Sequence, residues 1–89
     1  MTTIWKITLS VLDWQEHELP VGAEILCVQV QHGKPQMWVR CSPHGGKVEP
    51  REFRIYGTGH MLAEMTNHKY IGTFQLDGGA FVGHLFETT

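Results

Sequence analysis

Apolar and polar residues alternate with a period of two along most of this 89-residue chain, and Gly, Pro, Asn and Asp interrupt the alternation at short intervals. Strand side chains point to opposite faces in turn, so the pattern predicts strands rather than helices. Seven are expected, near 3–10, 14–19, 24–31, 36–42, 51–58, 69–76 and 80–87. The fold class that follows is all-β: a single small sandwich or partly open barrel of about seven mostly antiparallel strands, one domain over 1–89. Helical period competes only between His60 and Asn67, where Met61-Leu62-Ala63-Glu64-Met65 predicts one short helical turn. Gly45 to Pro50 reads as a surface loop, and a tight turn at Gly78-Gly79 joins the last two strands.

Register can be argued for the hairpin around His32-Gly33-Lys34-Pro35. With Gly33-Lys34 as the central turn residues, Leu26 pairs with Cys41, Val28 with Val39 and Val30 with Met37, which makes one face wholly apolar. The other face then carries Ile25, Cys27, Gln29, Gln31, Gln36, Trp38, Arg40 and Ser42. In the fifth strand Phe53 and Ile55 point one way, Arg54 and Tyr56 the other. If that strand lies beside the fourth, Trp38, Arg40, Arg54 and Tyr56 form one neighbouring set. Guanidinium groups fork onto phosphate oxygens and aromatic rings stack on bases, so the set suits a flat anionic ligand. The same residue types also suit a protein interface.

The fifth strand runs into Gly57-Thr58-Gly59-His60, a Gly-flanked polar turn that brings backbone N–H groups, Thr58 and His60 to a strand end. It is not a dinucleotide fingerprint, because Leu62 stands where the third Gly belongs and no βαβ unit surrounds it. Gly45-Gly46-Lys47-Val48 likewise lacks the spacing and the Ser/Thr of a phosphate loop. The candidate ligand-binding residues are therefore Trp38, Arg40, Arg54, Tyr56, Gly57, Thr58, Gly59 and His60.

No catalytic residue is assigned. Neither Ser10 nor Ser42 sits in a nucleophile elbow, and Glu16-His17-Glu18 reads as a solvated edge whose carboxylates face away from His17. His84 alternates into the apolar Phe81 to Phe86 strand and needs a hydrogen-bond partner if buried. Cys27 and Cys41 read as reduced and packed, and the six scattered histidines lack metal-ligand spacing, so neither a metal nor a cofactor is expected.

Seven Lys and Arg against nine Asp and Glu give a net charge of −2, which argues against duplex nucleic acid as a partner but leaves room for a small anion. No segment has the length and uniform hydrophobicity of a membrane span, and residues 1–6 do not form a signal peptide. A chain this short buries only about 60–65% of its unfolded surface, so a homo-oligomer formed through free strand edges is expected.

Four stretches carry a family resemblance: Ile4-Trp5-Lys6, the run Leu19 to Gln31, Ile55 to His60, and Tyr70-Ile71-Gly72-Thr73-Phe74 through Gly78-Gly79 to Glu87. Together they resemble a widespread family of small bacteriophage and prophage proteins that carry a domain of unknown function. The resemblance spans nearly the whole chain, although Met61-Leu62-Ala63-Glu64-Met65 stands where relatives often have a proline-containing loop. It implies a protein of the host bacterial cytoplasm that works by stoichiometric binding. One form of that is an anti-defence factor sequestering a cyclic nucleotide or other nucleotide-derived signal. The other is a module that inhibits or modulates a host protein.

Overall fold

The computed structural model describes residues 1–62 and 67–88. Among the described residues seven strands follow one another: β1 Thr3–Thr8, β2 Trp14–Pro20, β3 Glu24–Gln31, β4 Lys34–Cys41, β5 Val48–Gly57, β6 His68–Leu76 and β7 Phe81–Thr88. They form two antiparallel sheets, β1-β4-β3 and β2-β5-β7-β6, which face each other as a sandwich and do not close into a barrel. The molecule is flat, 41 × 32 × 16 Å. The helical turn predicted within 60–67 falls largely on 63–66, outside the described residues. No described helix is long and apolar enough to cross a membrane.

Alternation places the core. Met37, Val39 and Cys41 of β4 meet Phe53 and Ile55 of β5, Leu85 of β7, Phe74 of β6 and Leu19 of β2, all buried. Both cysteines are free.

The hairpin register differs from the predicted one by two residues. Gln31 pairs with Lys34 and Val28 with Met37, so His32-Gly33 are the central turn residues, both with positive φ (55° and 75°). Type I′ geometry explains this, because it needs φ > 0 at both central positions and its twist matches the strands. A shift of two preserves the faces, so Trp38 and Arg40 point away from the core as predicted. The exception is a bulge between Ile25 and Cys27, which turns Ile25 toward the core and leaves Leu26 exposed.

The larger correction is strand order. β5 lies between β2 and β7, in the other sheet from β4, so Trp38 and Arg40 are on the far side of the sandwich from Arg54 and Tyr56. Arg40 is tied to Glu24 there by an ion pair. Alternation gives the face of these four residues, but it does not say that β5 is flanked by β2 and β7.

Glu16-His17-Glu18 is also not wholly a solvated edge. His17 turns inward, packs on Phe53 at 5.9 Å between ring centroids and shares a hydrogen bond with Gln15 Oε1 at 2.9 Å. Burial lowers its pKa below 6.5. The folded protein thus holds this ring neutral, and the unfolded chain takes up the proton first. His17 costs nothing above about pH 6.5 and removes stability as pH falls through that value toward the lower folded pKa. Melting temperatures from pH 8 down to pH 5 should therefore fall more steeply for the native protein than for His17→Gln. Parallel curves would show that His17 carries no such linkage.

Candidate functional site

The outer face of the four-stranded sheet gathers aromatic and hydroxyl groups through cross-strand register. Trp14 of β2 lies opposite Arg54 of β5, Arg54 opposite Phe86 of β7, and Phe86 opposite Tyr70 of β6. One step along, Tyr56 pairs with His84, and His84 with Thr73. A bulge between Tyr70 and Gly72 keeps both Tyr70 and Thr73 on this face although they are three residues apart. Phe86 is the hub, with ring centroids 5.1 Å from Tyr70, 5.8 Å from Tyr56 and 6.0 Å from His68 in edge-to-face arrangements.

At the end of this face the chain turns sharply. The His60 N–H donates to Gly57 O at 3.1 Å and Gly59 has φ +85°, the pattern of a type II turn, which requires Gly at that position. The Thr58 N–H donates to Val82 O at 3.1 Å and moors the turn to β7. His60 folds back onto Gly57 so closely that a Cβ there would lie 2.6 Å from its ring. Two of the turn's amides, those of Thr58 and His60, are consumed by this geometry.

Between the turn and the sheet opens a cavity of about 310 Å³ lined by Tyr56, Gly57, Thr58, Gly59, His60, Leu62, Tyr70, His84 and Phe86. His60 is a shared wall, for it also borders a second hollow of about 200 Å³ that reaches Leu12, Asp13 and Phe81. The main cavity is at the small end of ligand sites, roughly 300–1,000 Å³, and fits one base-sized ring rather than a whole dinucleotide.

The polar groups fall into two kinds. His84 is saturated: Nε2 meets Thr58 Oγ1 at 2.7 Å, while Nδ1 meets Thr73 Oγ1 at 3.2 Å and Tyr70 OH at 3.4 Å. Tyr70 and Thr73 are hydrogen-bonded to each other as well. Whichever nitrogen carries the proton, one end of the ring donates and the other accepts, so the chain of hydroxyls is held in fixed directions. Tyr56 is the opposite case. It is 7% exposed, and its hydroxyl is buried without a partner among the described residues. The two ring nitrogens of His68, beyond Phe86, are likewise buried and unpartnered. Buried hydroxyls are nearly always paired, and an orphan costs about 1–3 kcal/mol, which sets Tyr56 apart from the paired groups of this face.

Of the eight candidates, the consecutive run Tyr56 to His60 lines the cavity, and Arg54 lies next to it on the same face. Arg54 makes no ion pair among the described residues, which leaves its guanidinium available. Trp38 and Arg40 are not part of this site. Tyr70, His84, Phe86 and Leu62 complete it and were not in the predicted set. Their signal was the outward alternation Val82, His84, Phe86, readable only once β7 is known to flank β5. Among the described residues no cluster of His, Cys, Asp or Glu could hold a metal.

The chain belongs to the family described as Domain of unknown function (DUF7352), which it matches over residues 1–89. No curated protein and no solved structure matches it.

Proposed function

We propose that this member of the DUF7352 family is a binding protein that sequesters a nucleotide-type ligand without turnover, one base-sized ring entering the cavity beneath the Gly57 to His60 turn. The buried, unpartnered Tyr56 hydroxyl carries the reading, because it asks for a hydrogen-bonding guest where Phe86 and Tyr70 offer ring surfaces. Arg54, on the same face, suits the ligand's phosphate. The resemblance to phage proteins makes a nucleotide immune signal in the host bacterial cytoplasm the proposed target.

A thermal-shift series against cyclic di- and trinucleotides, cyclic ADP-ribose isomers and common nucleotides tests this. One compound should raise the melting temperature by mass action. Tyr56→Phe should weaken it roughly 3- to 10-fold by removing one hydrogen bond, and Arg54→Ala should weaken it with a loss of salt dependence. Arg40→Ala should leave affinity unchanged. A ligand that depends on Arg40 and ignores Tyr56 would place the site on the other sheet.

One observation favours a protein partner instead. Leu62, Tyr70 and Trp14 are exposed around this face, and Met61, next to Leu62 in sequence, is 93% exposed, apolar groups of the kind that anchor contacts. In that case no nucleotide shifts the melting temperature, and Trp14→Ala and Met61→Ala, rather than Tyr56→Phe, abolish capture of the host protein.

A further inference from the structure

We propose that a second copy of this chain pairs antiparallel with β1, joining two three-stranded sheets into one of six strands through a Trp5–Trp5 contact on the two-fold axis. This rests on the sheet edges and is independent of the ligand reading.

Of the four edge strands, three are guarded and one is open. β2 carries Glu16 and Glu18 and ends in Pro20, which discourage pairing. β3 and β6 are each interrupted by a bulge and lie against one another, with Gly72 so near Val28 that a Cβ there would be 3.0 Å from Cγ1. β1 pairs with β4 on one side only, has no bulge and no Pro, and exposes Ile4 and, at 37%, Trp5. Its one charge, Lys6, is drawn across its own sheet by a 2.6 Å bond to Gln31 Oε1. Nothing on this edge opposes another strand.

The register follows from hydrogen-bond parity. The Leu9 N–H donates to Pro35 O at 2.9 Å, which extends the β1–β4 pairing of Thr8 with Gln36 by one residue. Hydrogen-bonded pairs alternate along an antiparallel ladder, so Trp5 and Ile7 bond inward to β4, and Ile4, Lys6 and Thr8 aim their N–H and C=O at the open edge. A two-fold axis normal to the sheet must pass through a residue, since partners share a face. The two centres that use nearly all of β1 are Trp5 and Lys6. Centring on Lys6 sets like charges directly opposite, which is destabilising. Centring on Trp5 bonds Ile4 to Lys6 of the second copy twice over and puts the two Trp5 rings at a non-hydrogen-bonded pair, where side chains lie closest. Trp5 shares a face with buried Val39, so the paired rings extend the apolar layer of the sandwich.

Light scattering of the purified protein should give about 20 kDa, twice the 10.1 kDa chain. Ile4→Pro removes an N–H aimed at the edge, not one bonded to β4, and should yield a folded monomer. Trp5→Phe should keep the dimer and lose the Trp–Trp exciton couplet in circular dichroism. As a check that does not depend on proline being tolerated, Trp5→Cys in a Cys27→Ser background should cross-link between copies on mild oxidation, because the pair's Cα separation of about 4.5 Å suits a disulfide, whereas Ile4→Cys should not. A monomer at millimolar concentration, a dimer that survives Ile4→Pro, or equal cross-linking from positions 4 and 5 would overturn the proposal.

Discussion

Replacing Arg51 by Met is expected to destabilise the domain by about 3–5 kcal/mol, the cost of stripping one partner from a buried ion pair. Glu87 is 7% exposed, and Arg51 grips it with Nε on one carboxylate oxygen and Nη2 on the other, the latter at 3.0 Å. The hydrogen bond to Glu87 raises the Arg51 pKa further, so this cation never titrates within the stable range. Its Nη1 donates to the Ala23 carbonyl at 2.8 Å. Ala23 lies in the connection between β2 and β3, which belong to different sheets, so Arg51 joins the crossover to the centre of the four-stranded sheet. The substitution leaves a buried carboxylate unpaired and a buried carbonyl without its donor. A domain of this size sits near the low end of the usual 5–15 kcal/mol, so such a loss removes much of its stability. Urea unfolding should show a large fall in midpoint with the slope nearly unchanged. Arg51→Met with Glu87→Leu should recover most of the loss, since two apolar side chains leave no buried charge. A single variant within 1 kcal/mol of the native protein would mean that Glu87 reaches solvent and the grip is only a surface contact.

Much of this fold was legible because period-two alternation runs through the strands and is broken only at the bulges in β3 and β6. Phe53 and Ile55 read inward and are buried, and the faces of Trp38 and Arg54 are as the pattern says. What alternation does not encode is which strands are neighbours. Placing β5 beside β4 was the natural guess from sequence order, yet the connection from Ser42 to Lys47 carries the chain to the other sheet, where β5 meets β2 and β7. That one step split the predicted site. Tyr56 to His60 stayed together because a strand and its turn are contiguous in sequence. Trp38 and Arg40 were lost because their membership needed a pairing, and His84, Tyr70 and Phe86 were missed for the same reason. The apolar residues on both faces of β7 concealed the point further. With Leu85 and Phe81 turned inward and Phe86 outward, the strand looks apolar on both faces, and His84 reads as a core residue when it lies on the cavity wall. The Arg51–Glu87 pair was also illegible, since two charges 36 residues apart on inward positions look like errors of alternation until the fork between them is seen.

Gly83→Ala should destabilise by about 1–3 kcal/mol or more, although it adds a single methyl in a strand, where Ala is ordinarily no worse than Gly. The Cβ would lie 2.5 Å from Phe74 Cζ and 2.9 Å from both Cε atoms, within the ring's own footprint. Gly83 and Phe74 are direct cross-strand partners, and the ring lies across the bare backbone with only 4% of it exposed, so it has nowhere to retreat. Either Phe74 leaves its rotamer or β7 and β6 separate. At roughly 4–8 °C per kcal/mol for a domain of this size, the melting temperature should fall visibly in a single scan. The clash also makes the effect conditional. Phe74→Leu alone opens space in the core and costs stability, but combined with Gly83→Ala it should cost less than the sum, a coupling of 0.5–3 kcal/mol expected for residues in contact. Additivity would place the ring elsewhere. The same substitution separates two ways of losing ligand. His84 and Phe86 follow Gly83 on β7 and wall the cavity, so moving that strand should impair binding and stability together, whereas Tyr56→Phe impairs binding and relieves an orphaned hydroxyl. Stability that rises slightly in Tyr56→Phe while affinity falls is the outcome expected if that hydroxyl is kept for a guest and not for the fold.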